Sequence, residues 1–172
     1  MTGLPPPRRE GEYAVALVCL GNICRSPMAD VVLTERVDEA GLSGKVTVNS
    51  CGTGDWHTGQ PMDRRAAATL TAHDYDPTRH RARLFDPSWL DDHDLVLTMD
   101  EQNLADVLSS TPGADRDRVR LFRDFDPVGT GGEVPDPYYG GDAGFEEVLG
   151  MVERTSVALV SALQQMLRDA PA

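Results

Sequence analysis

A short apolar run that stops at a cysteine and gives way, seven residues on, to a helix start constrains this chain more than any other feature. Residues 13–18 read Tyr-Ala-Val-Ala-Leu-Val, the length and composition of a buried strand. Residues 19–25, Cys-Leu-Gly-Asn-Ile-Cys-Arg, leave room only for a loop. Ser26-Pro27 then opens a helix, because serine suits the N-cap and proline the first helical position. Ala29, Val32, Leu33 and Val37 recur on one side of that helix, which is expected to end near Gly41.

The same alternation continues. Residues 45–51 read as a second strand with Val46 and Val48 alternating, and 52–61 as a polar loop. Residues 63–73 read as a helix, 95–98 as a third strand, 100–109 as a helix with an acidic start, and 119–122 as a fourth strand. A long Gly-, Pro- and Asp-rich loop fills 123–143, and loops of that length usually serve a function. Phe145, Val148, Leu149, Val152, Leu159, Leu163 and Met166 mark a final helix over 145–168 that packs on the sheet. The expectation is a single-domain α/β fold, doubly wound, with a parallel sheet covered on both faces. Residues 1–12, with three consecutive prolines and Arg8-Arg9, read as a flexible tail ahead of a domain over 13–170.

In such sheets ligands bind beyond the carboxyl ends of the strands, where the strand order reverses. The loop over 19–25 lies at such an end. Free N–H groups and the positive end of the helix dipole favour an anion there. Gly21 and Asn22 best tolerate the left-handed backbone of a concave nest. Arg25 adds a planar fork matched to two phosphate oxygens. Cys19, at the other end of the loop, is expected as a nucleophilic thiolate in this positive field, and the Ser26 hydroxyl is placed to donate to it. The nucleotide-binding pattern G-x-x-x-x-G-K-[ST] is absent.

Composition removes several classes of function. The net charge is −12, which argues against a general nucleic-acid or anionic-membrane binder. No apolar run approaches the roughly 20 residues of a membrane span. Three cysteines are too few for a disulfide scaffold and fit a reducing, cytoplasmic setting. No spacing of histidines and cysteines suggests zinc.

The run Cys19-Leu20-Gly21-Asn22-Ile23-Cys24-Arg25-Ser26-Pro27-Met28-Ala29 resembles the low-molecular-weight protein tyrosine phosphatases, bacterial type. So do Ser50-Cys51-Gly52-Thr53-Gly54-Asp55-Trp56-His57, His80-Arg81-Ala82-Arg83, Met99-Asp100 and Asp136-Pro137-Tyr138-Tyr139-Gly140, in that order. The resemblance spans nearly the whole chain. It implies a four-stranded parallel sheet, and hydrolysis of phosphotyrosine in proteins through a phosphocysteine on Cys19, with Arg25 binding phosphate and no cofactor or metal. The substrate-binding set it implies is Leu20, Gly21, Asn22, Ile23, Cys24 and Ser26 with Trp56, Tyr138 and Tyr139. Trp56 and Tyr139 are cast as aromatic walls. Asn22, Ser50 and His80 match positions that hold the loop in shape. His57, His73 and His93 are read as surface or structural. Cys51 stands where the family commonly has alanine. A monomer is expected.

A phenolate leaving group has a conjugate-acid pKa near 10, so a carboxylic acid must protonate it. Asp-Pro pairs occur at Asp76, Asp86, Asp126 and Asp136. Only Asp136 precedes the Tyr-Tyr-Gly run of the family's acid loop, which makes it the candidate general acid and base, with Asp126 as the fallback. Arsenate reductases on this fold need two further cysteines late in the chain, and none follows Cys51. The related arginine phosphatases tend to carry threonine at the position of Ile23 and lack the double tyrosine. A binding module without catalysis would lack the nucleophile or the acid, and both are present. Cys24 is expected beside Cys19 as the thiol that traps its oxidised form, ahead of Cys51.

Overall fold

A computed structural model describes residues 3–169, with side chains through Arg168. Four strands, β1 (Tyr13–Cys19), β2 (Val46–Gly52), β3 (Leu95–Thr98) and β4 (Val119–Leu121), form one parallel sheet in the order β2-β1-β3-β4. β1 thus pairs with β2 on one side and β3 on the other, and the chain direction of the winding reverses at β1. The crevice of the switch point opens at its carboxyl end, where Cys19 stands.

Alternation along β1 sends its side chains to two cores. Tyr13, Val15, Leu17 and Cys19 join the larger one, with Leu95 and Leu97 of β3. The helices α1 (Arg25–Glu39), α2 (Arg64–Ala72) and α5 (Asp142–Asp169) close that face through residues such as Met28, Leu33, Leu70, Phe145 and Leu159. Burying a side chain of this kind contributes about 1.5–3 kcal/mol. Ala16, Val18, Cys51, Val96 and Val119 face the other way, onto α3 (Trp89–Asp92) and α4 (Glu101–Ser110), with Val107, Trp89 and Leu104 against them. The doubly wound, two-faced sheet expected from the alternating pattern is the observed fold.

The differences are local. Ser26 does not cap α1: the helix begins at Arg25, Cys24 holds the cap position without a side-chain hydrogen bond, and the Ser26 hydroxyl turns back to the loop. Asp63 and Asp100, by contrast, do cap α2 and α4. α5 starts three residues earlier than its apolar stripe. Two 3₁₀ turns, Arg116–Arg118 and Phe122–Phe125, flank β4, and the second occupies the start of the expected loop.

Residues 3–12, read as a flexible tail, contain no helix or strand but are tied to the sheet's amino end. The Arg8 N–H donates to Asp94 Oδ1 at 2.6 Å, while Asp94 Oδ2 accepts from the Ala14 N–H at 2.6 Å. The Arg8 guanidinium donates to the carbonyls of Leu90 and His93 at the end of α3. Tyr13 donates to the Pro5 carbonyl at 2.9 Å, and Pro5 is buried. Residues 1, 2 and 170, named in the expected boundaries, lie outside the described residues.

Candidate active site

β1 delivers Cys19 to the carboxyl edge of the sheet, and six residues later, at Arg25, α1 begins. Asn22, at φ +57°, supplies the left-handed turn. Gly21 does not share that conformation. Its need is space, because a Cβ there would stand 3.1 Å from the His57 ring. A tighter fit occurs at Gly52, where a Cβ would come within 2.6 Å of the Leu20 carbonyl oxygen. Gly52 therefore lets the end of β2 press against the loop.

Asn22 is fully buried and organises the loop from behind. Its Nδ2 donates to Ser26 Oγ at 2.8 Å and Ser50 Oγ at 3.1 Å, and its Oδ1 accepts from the Arg83 N–H at 2.8 Å. The Asn22 carbonyl accepts from His80 Nε2 at 2.6 Å. Burial holds His80 below the ordinary histidine range, so the neutral imidazole carries its proton on Nε2. Cys19 Sγ accepts from the Asn22 N–H at 3.3 Å and lies 3.0 Å from Ser26 Oγ. The Asn22 and Ser26 side chains are directed at each other and at Cys19, Ser50 and Arg83.

Arg25 is 3 % exposed, and its fork is braced from outside the loop. Nη1 donates to Asp100 Oδ2 at 2.6 Å and to the Val134 carbonyl at 3.1 Å. Nη2 lies 3.6 Å from Asp136 Oδ2. Burial opposes the guanidinium charge, but the Cys19 sulfur and the carboxylates of Asp100 and Asp136 outweigh it and keep Arg25 above its usual value. The bracing role of Asp100 had not been foreseen. The acidic helix start was visible, but nothing local says that the second carboxylate oxygen reaches Arg25.

Cys19, Leu20, Gly21, Ile23, Cys24 and Arg25 line a cavity of about 440 Å³. Trp56, His57, Asp136, Tyr138 and Tyr139 complete its lining. Tyr138 packs edge-on to Tyr139, with ring centroids 4.9 Å apart, and Trp56 and Tyr139 stand exposed at the rim. His57 was read as a surface or structural residue, yet it forms part of this wall, its ring 6.3 Å from that of Tyr138. His73 pairs with Glu146, and His93 is buried against Trp89.

The other Asp-Pro carboxylates are occupied elsewhere. Asp126, the fallback acid, is fully buried between Arg123 and Arg154. Burial pushes its carboxyl up, but Arg154, the Val128 N–H and Arg123 together hold it below the usual range. Asp76 and Asp86 accept hydrogen bonds from Thr78 and Ser88 within their own turns.

Cys24 shares the cavity with Cys19. Burial, with Asp63 and Cys19 nearby, pushes its thiol up. Cys51 pairs with Val18 across the sheet and shares its face, opposite to the one Cys19 joins. It is nonetheless a neighbour of Cys19, which adds to burial in pushing the Cys51 thiol up, but it does not line the cavity. Among the described residues, no group of three or more His, Cys, Asp or Glu side chains is placed to hold a metal ion. No described helix is long and apolar enough to cross a membrane.

A sulfur that accepts a backbone N–H and touches a buried hydroxyl, a braced guanidinium and a carboxylate lining the same cavity make the site of a cysteine-dependent phosphatase. Residues 14–169 match the family described as low molecular weight phosphotyrosine protein phosphatase. The chain is 46% identical over 159 residues to a low molecular weight protein-tyrosine-phosphatase of Streptomyces coelicolor, covering 90% of this chain and 96% of that one. It is 45% identical over 141 residues to low molecular weight protein-tyrosine phosphatase A of Mycobacterium tuberculosis, covering 81% of this chain and 84% of the relative. The crystal structure of a protein tyrosine phosphatase from Entamoeba histolytica superposes with a TM-score of 0.85 at 31% identity, over 90% of this chain and 98% of that one. The chain belongs to the low molecular weight protein-tyrosine phosphatase family, whose members hydrolyse phosphotyrosine through a cysteine.

Proposed function

We propose that Cys19 is the nucleophile, Arg25 the phosphate-binding fork and Asp136 the general acid and base of this phosphotyrosine hydrolysis. One observation carries the assignment: the Cys19 sulfur and the Asp136 carboxylate face the same cavity, with the Arg25 guanidinium 3.6 Å from that carboxylate.

The chemistry follows from that placement. A phosphate monoester enters with its oxygens on the loop N–H groups and the Arg25 fork. Cys19 Sγ attacks phosphorus in line, the ester P–O bond breaks, and the Asp136 carboxyl gives its proton to the departing phenolate oxygen. The Asp136 carboxylate then takes a proton from water as that water attacks the phosphocysteine. Inorganic phosphate leaves and the Cys19 thiolate returns. Arg25 and the N–H groups stabilise the charge on the equatorial oxygens in both steps.

Trp56, Tyr138 and Tyr139 suit a flat aryl group held above Cys19. A phosphoserine side chain is too short to bring its phosphorus to the sulfur from this rim. Phosphotyrosine proteins are accordingly the proposed substrates. A reducing, cytoplasmic setting fits a reaction that needs a free Cys19 thiolate. We take the chain as a monomer: of the exposed large apolar side chains, Leu20, Trp56 and Tyr139 gather at the cavity itself, while Leu84, Val128 and Val157 stand outside it.

Phosphopeptide kinetics test the reading. Phosphotyrosine peptides are expected to be turned over with kcat/KM at least ~100-fold above matched phosphoserine peptides, a margin within what shape and acid catalysis supply. Cys19→Ser is expected to bind the peptide without turnover. Comparable rates on the two peptides, or turnover by Cys19→Ser, would overturn the assignment.

A further inference from the structure

The first turn of α2 touches both loops of the site. The Asp63 N–H donates to the Ile23 carbonyl of the phosphate loop at 2.9 Å. Two residues on, the Arg65 guanidinium reaches the other way. Its Nη2 donates to the Tyr138 carbonyl at 2.8 Å and its Nη1 to the Gly140 carbonyl at 3.3 Å. The plane of the guanidinium also lies over two rings, 5.4 Å from the centroid of Tyr138 and 4.8 Å from that of Phe145, the latter fully buried in α5. Asp63 steadies the fork from its own side, accepting from Arg65 N at 2.8 Å and Arg65 Nη2 at 3.3 Å.

Asp136 hangs between two anchors. On its amino side Val134 is buried, its N–H donating to the Met99 carbonyl at 2.7 Å and its carbonyl accepting from Arg25. On its carboxyl side the Tyr138 peptide is held at both ends. The Tyr138 N–H donates to Asp136 Oδ1 at 3.0 Å, and the Tyr138 carbonyl is the one Arg65 holds. Residues 134–139 have no helix or strand to stiffen them. We infer that Arg65 is a positioning residue for the general acid: it fixes the carboxyl-side anchor of the Asp136 loop against the helix that also holds the phosphate loop.

A surface ion pair alone would give little reason for this, since exposed pairs contribute weakly. The geometry differs from such a pair. A planar fork satisfies two backbone carbonyls of one irregular segment while its face rests on two rings, and a lysine cannot reproduce both. Misplacing a reacting group by about 1 Å can cost on the order of 100-fold in rate. The inference rests on the reading of Asp136 as the acid, and its test separates the two.

Arg65→Met keeps the apolar stem and removes the fork. Its kcat/KM on phosphotyrosine, which reports the step that puts a proton on the leaving oxygen, is expected to fall roughly 10- to 100-fold. Its kcat/KM on p-nitrophenyl phosphate, whose leaving group needs little help, is expected to stay within about 3-fold. Hydrolysis of the phosphocysteine is common to both substrates, so any loss there lowers kcat on both alike and leaves this comparison of kcat/KM intact. Arg65→Lys is expected to recover part of the phosphotyrosine rate. In the background of Asp136→Ala, Arg65→Met is expected to add nothing, because the group it positions is gone. Should Arg65→Met fail to fold by circular dichroism, Arg65→Gln carries the same comparison. Equal losses on the two substrates, or losses that add in the double variant, would show that Arg65 acts on the phosphate loop or on the fold as a whole, and the inference would be wrong. If Asp136→Ala itself showed no dependence on the leaving group, the acid assignment would fail first, independently of Arg65.

Discussion

Arg25 Nη1 and Asp100 Oδ2 stand 2.6 Å apart, with the arginine side chain 3 % and the aspartate 21 % exposed. The same Asp100 carboxylate caps α4, its Oδ1 accepting from the Asn103 N–H at 2.7 Å. One side chain therefore ties the phosphate-binding fork to the start of a helix on the far side of the sheet. Asn is as good an N-cap as Asp, so the two duties can be separated. Asp100→Asn is expected to keep the cap and leave the buried guanidinium without its charged partner. Asp100→Ala is expected to lose both, the cap alone being worth about 1 kcal/mol. Kinetics on p-nitrophenyl phosphate should show kcat/KM reduced in both variants, with a larger drop in melting temperature for Ala than for Asn. Unchanged kcat/KM in Asp100→Asn would mean that the Val134 carbonyl and the Asp136 carboxylate hold the fork without the Asp100 charge.

Exchanging the fork itself is a sharper test. Arg25→Lys retains the positive charge but cannot form two parallel hydrogen bonds to phosphate oxygens. It is expected to lose most of its activity. Asp136→Ala is expected to lower kcat/KM by about 10²–10⁴-fold on phosphotyrosine and far less on p-nitrophenyl phosphate, kcat/KM being the parameter that excludes the phosphocysteine hydrolysis common to both. A uniform loss across leaving groups of different basicity would make Asp136 structural.

Much of this site was readable in the chain before its shape was known, and the reason is proximity. Cys19, Asn22, Arg25 and Ser26 lie within eight residues between one strand and one helix, so local chemistry sets their relation. The strands were legible because each is a short apolar run. What escaped depends on contacts between distant residues. Arg8 meets Asp94 across 86 positions, so nothing near the tail announces that it is pinned. Asp100 reaches Arg25 across 75. His57 became part of the cavity only because Gly21, from a different element, leaves room for its ring. Ser26 was misread as a cap for another reason: a serine before a proline gives the same signal whether its hydroxyl caps the helix or, as was also expected, faces the Cys19 sulfur. The four-residue α3 is too short to show a period.

Stability should respond to pH through one buried group, His93, and two half-buried ones, His80 and Asp30. Burial holds His80 and His93 below the ordinary histidine value of 6.5. In the window just below that value the unfolded chain binds protons that the folded protein does not, so stability falls as pH drops through it. Asp30 acts in the opposite sense. Burial raises it from 3.8 to about 6, so below pH 6 the folded state takes up its proton first and stability is gained as pH falls toward the unfolded value. The melting temperature is expected to decline from about pH 7 to about pH 6 and then to flatten. Asp30→Asn should abolish the flattening, and His80→Gln should shallow the initial decline. A melting temperature that rises between pH 7 and 6 would contradict the burial of both imidazoles.

Oxidation provides the last test, and it distinguishes the two remaining cysteines. Peroxide converts an accessible thiolate to a sulfenic acid, and a neighbouring thiol can condense with it to a disulfide, releasing water. Cys24 lines the same cavity as Cys19, whereas Cys51 sits on the opposite face of the sheet. Burial and neighbouring negative charge nonetheless hold the Cys24 thiol up, so it attacks slowly near neutral pH and faster as pH rises. Enzyme inactivated by a brief peroxide pulse is therefore expected to recover with dithiothreitol, and the recoverable fraction after a long pulse should increase with pH. Peptide mapping should find Cys19 joined to Cys24. Cys24→Ser should over-oxidise and stay inactive after a long pulse, while Cys51→Ser should behave like the unaltered chain. Recovery that survives Cys24→Ser but is lost in Cys51→Ser would require the edge of β2 to open during oxidation, and the assignment of Cys24 as the protecting thiol would fall.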